Sequence, residues 1–424
     1  MKRLFILPFF FIVCNQIIAQ DKAVFLNSEG VWVDSLLSLM TQEEKIAQLI
    51  MVAAYSNKGD KHKEEITKLI EDYKIGGLMF LQGSPYKQAK LTNFFQSKSK
   101  IPLVVAIDAE WGVSMRLDSS LRFPWQMTLG AVEDNNLIYE MGVEIAKQCK
   151  LLGIHINFAP VVDVNSNPDN PIINNRSFGE NPQTVSKKSI AYMKGMQDNN
   201  ILACAKHFPG HGDTDADSHK TLPILNHSLD RLHEIDLIPF KNLINNGLGC
   251  VMVAHLNIPI LDSTKNISSS LSKNVVTDLL KNELNFKGLA ITDALNMKGV
   301  SNYYKTGDVE VKALLAGNDI LLFSEDVPKA IDEIKQAIIS NKISEKEIDE
   351  RCRKVLLAKK WLNLDKYRPV DLNEVKQNII TLSSESLNKK LVENSITLLQ
   401  NYNKIVPIKR LDTLRIASMS IGEA

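Results

Sequence analysis

Short, continuous apolar runs recur along the chain, and helical apolar spacing of three and four residues separates nearly all of them. Continuous apolar runs of this kind are typical of strands that are buried on both faces of a parallel sheet. The pattern therefore predicts strands that alternate with helices. The predicted strands are 51–53, 78–81, 102–107, 154–163, 201–205, 250–254, 288–292 and 319–323.

The count and order of these elements favour a (β/α)₈ TIM-type barrel, which we assign to residues 30–365. Thr41 and Glu44 have the spacing of a capping box and open the helix before the first strand. Helical spacing over 327–362 predicts the helices that close the barrel. A doubly wound open sheet is the alternative. It would bring a G-x-G-x-x-G loop after an early strand, and the sequence contains no such motif.

A second unit is predicted to follow the barrel. The pattern loosens over 366–386, which indicates a linker. Residues 387–399 have helical spacing and 415–420 are strand-like, so 387–424 is predicted to begin a C-terminal α/β domain. Because that strand has no partner in view, we expect this second domain to be truncated in the present sequence.

The first 20 residues have the pattern of a secretory signal peptide. Met1-Lys2-Arg3 is a basic start, 4–13 is apolar, and 18–20 end in small or polar residues. We therefore expect export to the periplasm or to the outside of the cell. No later stretch is apolar over the length that a membrane-spanning helix needs.

Composition narrows the classes of partner. The chain has 424 residues, 44% of them apolar, and a formal net charge of +1, which is ordinary for a globular protein. This balance gives no electrostatic reason to expect a nucleic-acid partner. Cys149, Cys204, Cys250 and Cys352 each lie in an apolar helix or strand pattern and are predicted to be buried thiols.

The segment 206–219 concentrates polar, titratable residues directly after the apolar run 201–205, and it holds three of the eight histidines of the chain. We expect it to be a long irregular loop. Titratable groups on a loop after a buried strand indicate a functional site. The alternative is a solvated turn whose aspartates cap local backbone groups.

Further polar residues stand where the predicted strands end. The carboxyl ends of barrel strands meet at one face, so these side chains are expected to share one pocket. Ion pairs that tie loops together are the structural alternative. The residues are Asp108, Asp163, Lys206, His207, His255 and Asp293.

Asp217 and His219 form a candidate acid–base pair. Residues two apart in an extended loop face the same side, and a carboxylate beside an imidazole orients the ring and raises its basicity. Such a pair can donate a proton and later accept one. An ordinary Asp-x-His turn is the alternative.

A metal site is the other interpretation of this segment. His207 and His211 have the spacing of helical zinc ligands, but Pro209 and Gly210 lie between them and disfavour a regular helix. The segment offers no cysteine ligand. We therefore assign neither a metal nor a cofactor and keep a metal-dependent hydrolase as an alternative.

Several segments, taken in chain order, resemble the motifs of glycoside hydrolase family 3, and specifically its β-N-acetylglucosaminidase branch. The resemblance extends over roughly residues 30–365. The segments are Phe158-Ala159-Pro160-Val161-Val162-Asp163, Asn175-Arg176-Ser177-Phe178-Gly179, Lys206-His207-Phe208-Pro209-Gly210-His211-Gly212, Asp217-Ser218-His219, and Ile291-Thr292-Asp293-Ala294-Leu295-Asn296-Met297.

The resemblance implies a retaining, exo-acting β-N-acetylhexosaminidase, whose partner is a cell-wall or related glycan with terminal β-linked N-acetylglucosamine. It implies that Asp293 is the nucleophile and that His219, assisted by Asp217, is the acid/base. The residues that it implies for holding the sugar hydroxyls are Asp108, Asp163, Arg176, Lys206 and His207.

One position departs from the family pattern. The family usually has Glu-Gly-Gly after the first aspartate, whereas this chain has Glu110-Trp111-Gly112, so Trp111 is expected to stack on a sugar face or to narrow the site. The β-glucosidase branch lacks the Asp-x-His loop, which favours the acetamido sugar. A β-glucosidase-type member and a non-catalytic carbohydrate-binding barrel are the alternatives; the presence of Asp293, Asp217 and His219 argues against the second.

Overall fold

The computed structural model describes residues 23–28, 30–216, 221–409 and the four residues 412, 413, 415 and 417. Within that part of the chain, eight parallel strands follow one another in space in the order of the sequence, with β8 beside β1. The strands are β1 (Ile50–Ala54), β2 (Gly77–Phe80), β3 (Val104–Ile107), β4 (Ile156–Asn157), β5 (Leu202–Phe208), β6 (Cys250–Val253), β7 (Leu289–Thr292) and β8 (Leu321–Leu322).

The sheet closes between β7 and the chain just before β8. Ile291 and Ile320 form a parallel bridge, and the Thr292 N–H donates to the Ile320 carbonyl at 3.1 Å. The predicted (β/α)₈ barrel is therefore confirmed, and the open doubly wound sheet is not what the chain forms.

Helices surround the barrel, and one helical start illustrates how local sequence sets them. The Thr41 hydroxyl accepts the Glu44 N–H while the Glu44 carboxylate accepts the Thr41 N–H, which is the predicted capping box. The α-helices are α1 (Val31–Leu39), α2 (Gln42–Ala47), α3 (Asp60–Lys68), α4 (Pro85–Lys98), α5 (Gln126–Gly130), α6 (Asn135–Leu151), α7 (Pro182–Gln197), α8 (Leu229–Arg231), α9 (Leu237–Ile244), α10 (Lys298–Ser301), α11 (Asp308–Ala316), α12 (Val327–Ile339), α13 (Glu345–Trp361), α14 (Leu372–Asn378) and α15 (Leu382–Ser395).

Shorter or wider helical turns complete the layer. π-Helical segments cover Leu69–Tyr73, Leu232–Asp236 and Asn274–Glu283. The 3₁₀ turns are Val24–Asn27, Val113–Met115, Asn174–Arg176, Ser269–Leu271, Leu364–Lys366 and Tyr402–Lys404. The segment Asn274–Glu283, between two of the predicted strands, thus has a wider hydrogen-bond pattern than the α-helix that helical spacing indicates.

Two predicted strands end three or more residues away from the observed ends. The apolar run 154–163 forms a strand only over Ile156–Asn157, and beyond Pro160 it adds an isolated bridge between Val161 and Lys206. The strand is interrupted because Pro160 has no N–H to donate. Conversely, β5 continues to Phe208 instead of ending at residue 205. Its extension is held by the Val162 N–H on the Lys206 carbonyl at 2.8 Å, so Lys206 and His207 are strand residues rather than loop residues.

The region after the barrel helices contains two helices. Residues 366–386, predicted as a linker, include α14, which packs against α4, and the start of α15, which packs against α5 and α6. The predicted strand over 415–420 lies mostly outside the described residues, as does the predicted signal peptide over 1–20. The division into domains stays a prediction.

The predicted buried thiols are confirmed: Cys149, Cys204, Cys250 and Cys352 are free and buried. Burial raises the pKa of Cys149 to about 12, which makes this thiol a packing group rather than a nucleophile. In the described part of the chain, no helix combines the length and the apolar character that crossing a membrane would require.

A buried ion cluster lies at the end of the barrel where the strands begin. Asp319, 1% exposed, stands just before β8; its carboxylate contacts Lys281 Nζ at 3.0 Å and Lys354 Nζ at 3.1 Å. The Ala290 N–H also donates to it at 2.9 Å. We call Asp319, Lys281 and Lys354 the base network. It joins β7, β8 and two surrounding helical segments.

Candidate active site

A cavity of about 470 Å³ opens at the carboxyl ends of the strands. Its apolar surface comes from side chains on β1, β2, β6 and β8: Ala53, Met79, Met252 and Leu322. Its charged surface comes from the ends of β3 and β5, the loops that follow β3 and β4, and the residue after β7. The cavity therefore joins an apolar floor to a polar wall, as small-ligand sites do.

Lys206 organises the polar wall. It is 2% exposed, and its ammonium contacts the Asp108 carboxylate at 2.7 Å and the Glu110 carboxylate at 2.8 Å. Burial alone would lower the pKa of Lys206, but the two carboxylates outweigh it and raise the pKa. Lys206 therefore keeps its charge although it is buried.

Two arginines complete this cluster. Arg176 binds both oxygens of Glu110, with nitrogen–oxygen distances of 2.7 and 2.9 Å, and Arg116 binds Asp108. Burial raises the pKa of Glu110, but Arg176 and Lys206 bring it down to about 2. Burial is likewise outweighed at Asp108, where Lys206 and Arg116 hold the pKa well below its usual range. We call Asp108, Glu110, Arg116, Arg176 and Lys206 the mouth network.

Asp163 holds the next segment in place. Its Oδ2 lies 2.7 Å from Nδ1 of His207, and its Oδ1 accepts the His211 N–H at 2.7 Å. Burial, which raises its pKa, is outweighed by His207 and His211, so the pKa of Asp163 is lowered. Asp163 is itself 0% exposed and lies behind the cavity wall, where it orients His207 rather than facing the cavity.

The chain beyond β5 packs tightly on the chain beyond β4. An added Cβ on Gly212 would lie 1.8 Å from the Val164 carbonyl oxygen, so only glycine permits this approach. His211 Nδ1 lies 2.6 Å from the Thr214 hydroxyl. Burial, together with His207, lowers the pKa of His211 to about 4, so its ring is neutral at pH 7.

Asp293 follows β7 and faces the cavity. Its Oδ1 accepts the Ala294 N–H at 2.8 Å. The Ala294 carbonyl lies 2.9 Å from Nε2 of His255, whose Nδ1 lies 2.8 Å from the Ser270 hydroxyl. His255, expected at the rim of the pocket, is instead 0% exposed. It supports the backbone next to Asp293 and does not face the cavity.

Asp217 and His219, the predicted acid–base pair, lie outside the described residues. The described residues on either side of that segment are joined to each other, since His227 Nε2 lies 2.8 Å from Asp213 Oδ2. Arg231 supports this region through Asp236 at 2.9 Å. Burial raises the pKa of Asp236 to about 7 although Arg231 opposes the shift.

The metal interpretation concerns the segment 206–219, of which the structure describes residues 206–216. Among the described residues, no group of three or more His, Cys, Asp or Glu side chains could hold a metal ion. Within that part, Nδ1 of His207 is engaged by Asp163 and Nδ1 of His211 by Thr214.

The sequence reasoning missed two members of the mouth network, Glu110 and Arg116. Both follow Asp108 in a loop that has no periodic pattern, so hydrophobic spacing could not indicate where their side chains lie. A signal was nevertheless present. A glutamate and an arginine close to an aspartate at a strand end are candidates for a charge cluster once Lys206 and Arg176 are expected at the same rim.

Trp111 forms an aromatic edge to the cavity. It is partly exposed and lines the cavity. Its ring centroid lies 4.1 Å from that of Trp125, and the Arg122 guanidinium lies 5.1 Å from the Trp125 ring and 5.9 Å from the Trp111 ring. These contacts fix the Trp111 ring from behind.

The fold and the site together define a (β/α)₈ barrel protein with a charged cavity of about 470 Å³ at its mouth. The glycosyl hydrolase family 3 N terminal domain matches residues 41–358 of the chain. The protein belongs to glycosyl hydrolase family 3, and the resemblance found in the sequence is confirmed.

Similar proteins carry hexosaminidase names. The chain is 35% identical over 327 residues to Beta-hexosaminidase A of Pseudoalteromonas piscicida, covering 70% of this chain and 55% of that protein. It is 30% identical over 337 residues to Beta-hexosaminidase LpqI of Mycobacterium tuberculosis, covering 76% of this chain and 84% of that one. The chain thus spans little more than half of the first of these relatives.

A solved structure agrees with the barrel assignment. The glycoside hydrolase family 3 β-N-acetylglucosaminidase from Paenibacillus sp. str. FPU-7 superposes with a TM-score of 0.79 at 34% identity, covering 85% of this chain and 70% of that chain. The structural likeness therefore extends beyond residues 41–358, which the family match covers.

Proposed function

We propose that the protein is an exported, exo-acting, retaining β-N-acetylhexosaminidase that removes terminal β-linked N-acetylglucosamine from cell-wall or related glycans. The observation that carries the proposal is the position of Asp293 on the cavity, across from Asp108. β3 and β7 are four strands apart in an eight-stranded barrel, so Asp108 and Asp293 approach the cavity from opposite sides. The hexosaminidase names of the relatives support the choice of sugar.

The polar wall supplies the groups that a sugar needs. Arg116, Arg176 and Lys206 present N–H donors to the cavity, and Asp108 presents an acceptor. Because the mouth network already fixes these groups, little reordering is needed when sugar hydroxyls replace water. A terminal sugar held there by its hydroxyls would direct its anomeric carbon toward β7, where Asp293 stands.

The proposed reaction has two steps. In the first, Asp293 attacks the anomeric carbon, a covalent glycosyl–aspartate bond forms, and the glycosidic bond breaks as His219 gives its proton to the leaving oxygen. In the second, His219 takes a proton from water, the water oxygen attacks the anomeric carbon, and Asp293 leaves as a carboxylate. Asp217 would orient His219 and stabilise its charged form.

The histidine in this scheme replaces the second carboxyl group of most retaining glycosidases. An imidazole, whether protonated before the first step or neutral before the second, adds no negative charge near Asp293, so the nucleophile can stay ionised. The roles of Asp293, Asp217 and His219 rest on the resemblance between their motifs and those of the family.

A covalent adduct tests the proposal most directly. Incubation with a 5-fluoro N-acetylglucosaminyl fluoride, which keeps the 2-acetamido group and has a good leaving group, should add one glycosyl residue, and peptide mass spectrometry should place it on Asp293. Asp293→Ala should form no adduct and should release no p-nitrophenol from p-nitrophenyl N-acetyl-β-glucosaminide. An adduct on another residue, or full activity in Asp293→Ala, would refute the assignment.

A further inference from the structure

A second groove, rich in lysine, lies beside the cavity. It encloses about 420 Å³ between the chain after β1, the first turn of α3 and the outer side of α4. Four lysines line it, Lys58, Lys63, Lys87 and Lys90, against one carboxylate, that of Asp60. The chain as a whole has a net charge of only +1. The groove is therefore a local concentration of positive charge in a protein whose charges are nearly balanced.

The positive charges of the four lysines are not neutralised by neighbouring carboxylates. Within the described residues, none of them comes within ion-pair distance of a carboxylate, although many other lysines of the chain do. Two of them lie over aromatic rings: the ammonium of Lys58 is 3.5 Å from the Tyr55 ring centroid, and that of Lys63 is 3.8 Å from the Phe94 ring centroid. These contacts fix where the charges stand without cancelling them.

Tyr55 joins the groove to the cavity. Its side chain lines the cavity, while the next residues, Ser56 and Asn57, line the groove. The Tyr55 N–H donates to Nε2 of His62 on α3 at 3.1 Å, and the two rings meet edge to face with centroids 5.4 Å apart. The segment that contains Tyr55 therefore separates the cavity from the groove, and His62 holds it in place.

We propose that this lysine groove binds an anionic substituent, a carboxylate or a phosphate, on the part of the glycan that leads out of the cavity. The inference rests on the proposed function, because an exo-acting enzyme holds only the terminal sugar inside and the remainder must cross the rim. Lysine ammonium groups bind either anion as point charges. A neutral glycan would leave the four charges without a partner.

A matched pair of glycans tests the groove. One is a β-linked N-acetylglucosaminyl disaccharide with a free carboxylate on the reducing-side sugar; the other is its methyl ester. The acid should have a kcat/KM about three- to tenfold higher than the ester at low salt, the range expected for a few exposed ion pairs. The advantage should fade toward 1 M salt. A phosphorylated disaccharide in the third arm shows which anion the groove prefers.

Charge removal on α4 locates the effect. Lys87→Gln with Lys90→Gln changes two exposed helix positions that do not line the cavity, and it should bring the acid-to-ester ratio close to one. The control is Lys342→Gln with Lys346→Gln, which removes the same charge at exposed positions outside the groove lining. The control should keep the wild-type ratio.

The outcomes separate the two proposals. Failure to hydrolyse the acid, the phosphate and the ester alike would refute the proposed hydrolase, and the same acid-to-ester comparison on dissociation constants would still test the groove. Equal values for acid, phosphate and ester would overturn the groove proposal. So would an anion preference that survives the α4 double variant.

Discussion

The mouth network and the base network have similar ion pairs, but only the mouth network faces the cavity. Each holds a fully buried carboxylate, Glu110 or Asp319, between two cations, and in each the cations outweigh burial and bring the carboxylate pKa to about 2. In the base network a backbone N–H takes up further bonding capacity of the carboxylate, and none of its members lines the cavity. In the mouth network, Asp108, Arg116, Arg176 and Lys206 face the cavity.

The difference shows that charge burial alone does not identify a functional site. Burial lowers the pKa of Lys281 to about 8 against the pull of Asp319, yet Lys281 and Asp319 are both charged at pH 7 and form a structural pair. In this barrel, position distinguishes the functional site from the structural ion cluster. The carboxyl ends of the strands open onto the cavity, and no member of the base network lines that cavity. We expect substitutions at the two ends to separate activity from stability.

The largest effect is expected from Lys206→Met in the mouth network. Loss of the ammonium leaves Asp108 and Glu110 as adjacent buried carboxylates and moves the groups that would hold the sugar. Activity on p-nitrophenyl N-acetyl-β-glucosaminide should fall at least about a hundredfold in kcat/KM. Stability should fall by about 3 to 5 kcal/mol, as measured by urea unfolding. A variant that loses stability but keeps kcat/KM would show that Lys206 has only a structural role, like the residues of the base network.

Asp319→Ala tests the opposite end. Removing this carboxylate leaves Lys281 and Lys354 without their shared partner, so the free energy of unfolding should drop by about 3 to 5 kcal/mol. The kcat of the folded fraction should stay at the wild-type value, measured at a temperature where the variant is fully folded. A loss of kcat in folded protein would show that the two ends of the barrel are coupled.

The two ends also differ in how far the sequence predicted them. The strand pattern located the barrel and brought Asp108, Lys206, His207 and Asp293 to one mouth, because buried strands have a clear apolar signature and their ends converge. It could not foresee that β5 continues through Lys206, since polar strand residues carry no apolar signal and their pairing depends on the neighbouring chain at Val162.

Side-chain direction was the second limit. Asp163 and His255 end predicted strands as Asp108 does, yet one turns behind the wall to His207 and the other turns to Ser270 and Ala294. Asp319 was assigned to a strand with no sign of its ion pairs, because its partners Lys281 and Lys354 are distant in sequence. Such partners follow from the packing of helices on the barrel, which hydrophobic spacing does not specify.

The pH dependence of stability should distinguish the base network from an exposed pair. Asp319 has a pKa of about 2 in the folded protein against an ordinary 3.8. Its contribution is therefore present above about pH 4 and is lost as the pH falls toward 2. Wild type should exceed Asp319→Asn by about 2 kcal/mol at pH 7, and the gap should close between about pH 4 and pH 2.

The control for this pH series is Asp278→Asn. Asp278 is an exposed carboxylate whose partner, Lys273 Nζ, lies 2.9 Å away. An exposed pair adds little to stability, so the gap between wild type and Asp278→Asn should stay below about 1 kcal/mol at every pH. Equal curves for the two variants would show that the buried position of Asp319 does not matter.

The smallest effect is expected at the aromatic edge of the mouth. Trp111 is held by Trp125 and Arg122 and borders the cavity, so Trp111→Ala should weaken binding of a disaccharide by about 1 kcal/mol, seen as a roughly fivefold higher KM with little change in kcat. Trp361→Ala is the matched control, because Trp361 packs against the core outside the cavity lining. It should lower stability and leave KM unchanged. If both variants raise KM alike, Trp111 acts through the fold rather than on the sugar. The difference between the cavity lining and the rest of the barrel would then not extend to aromatic side chains.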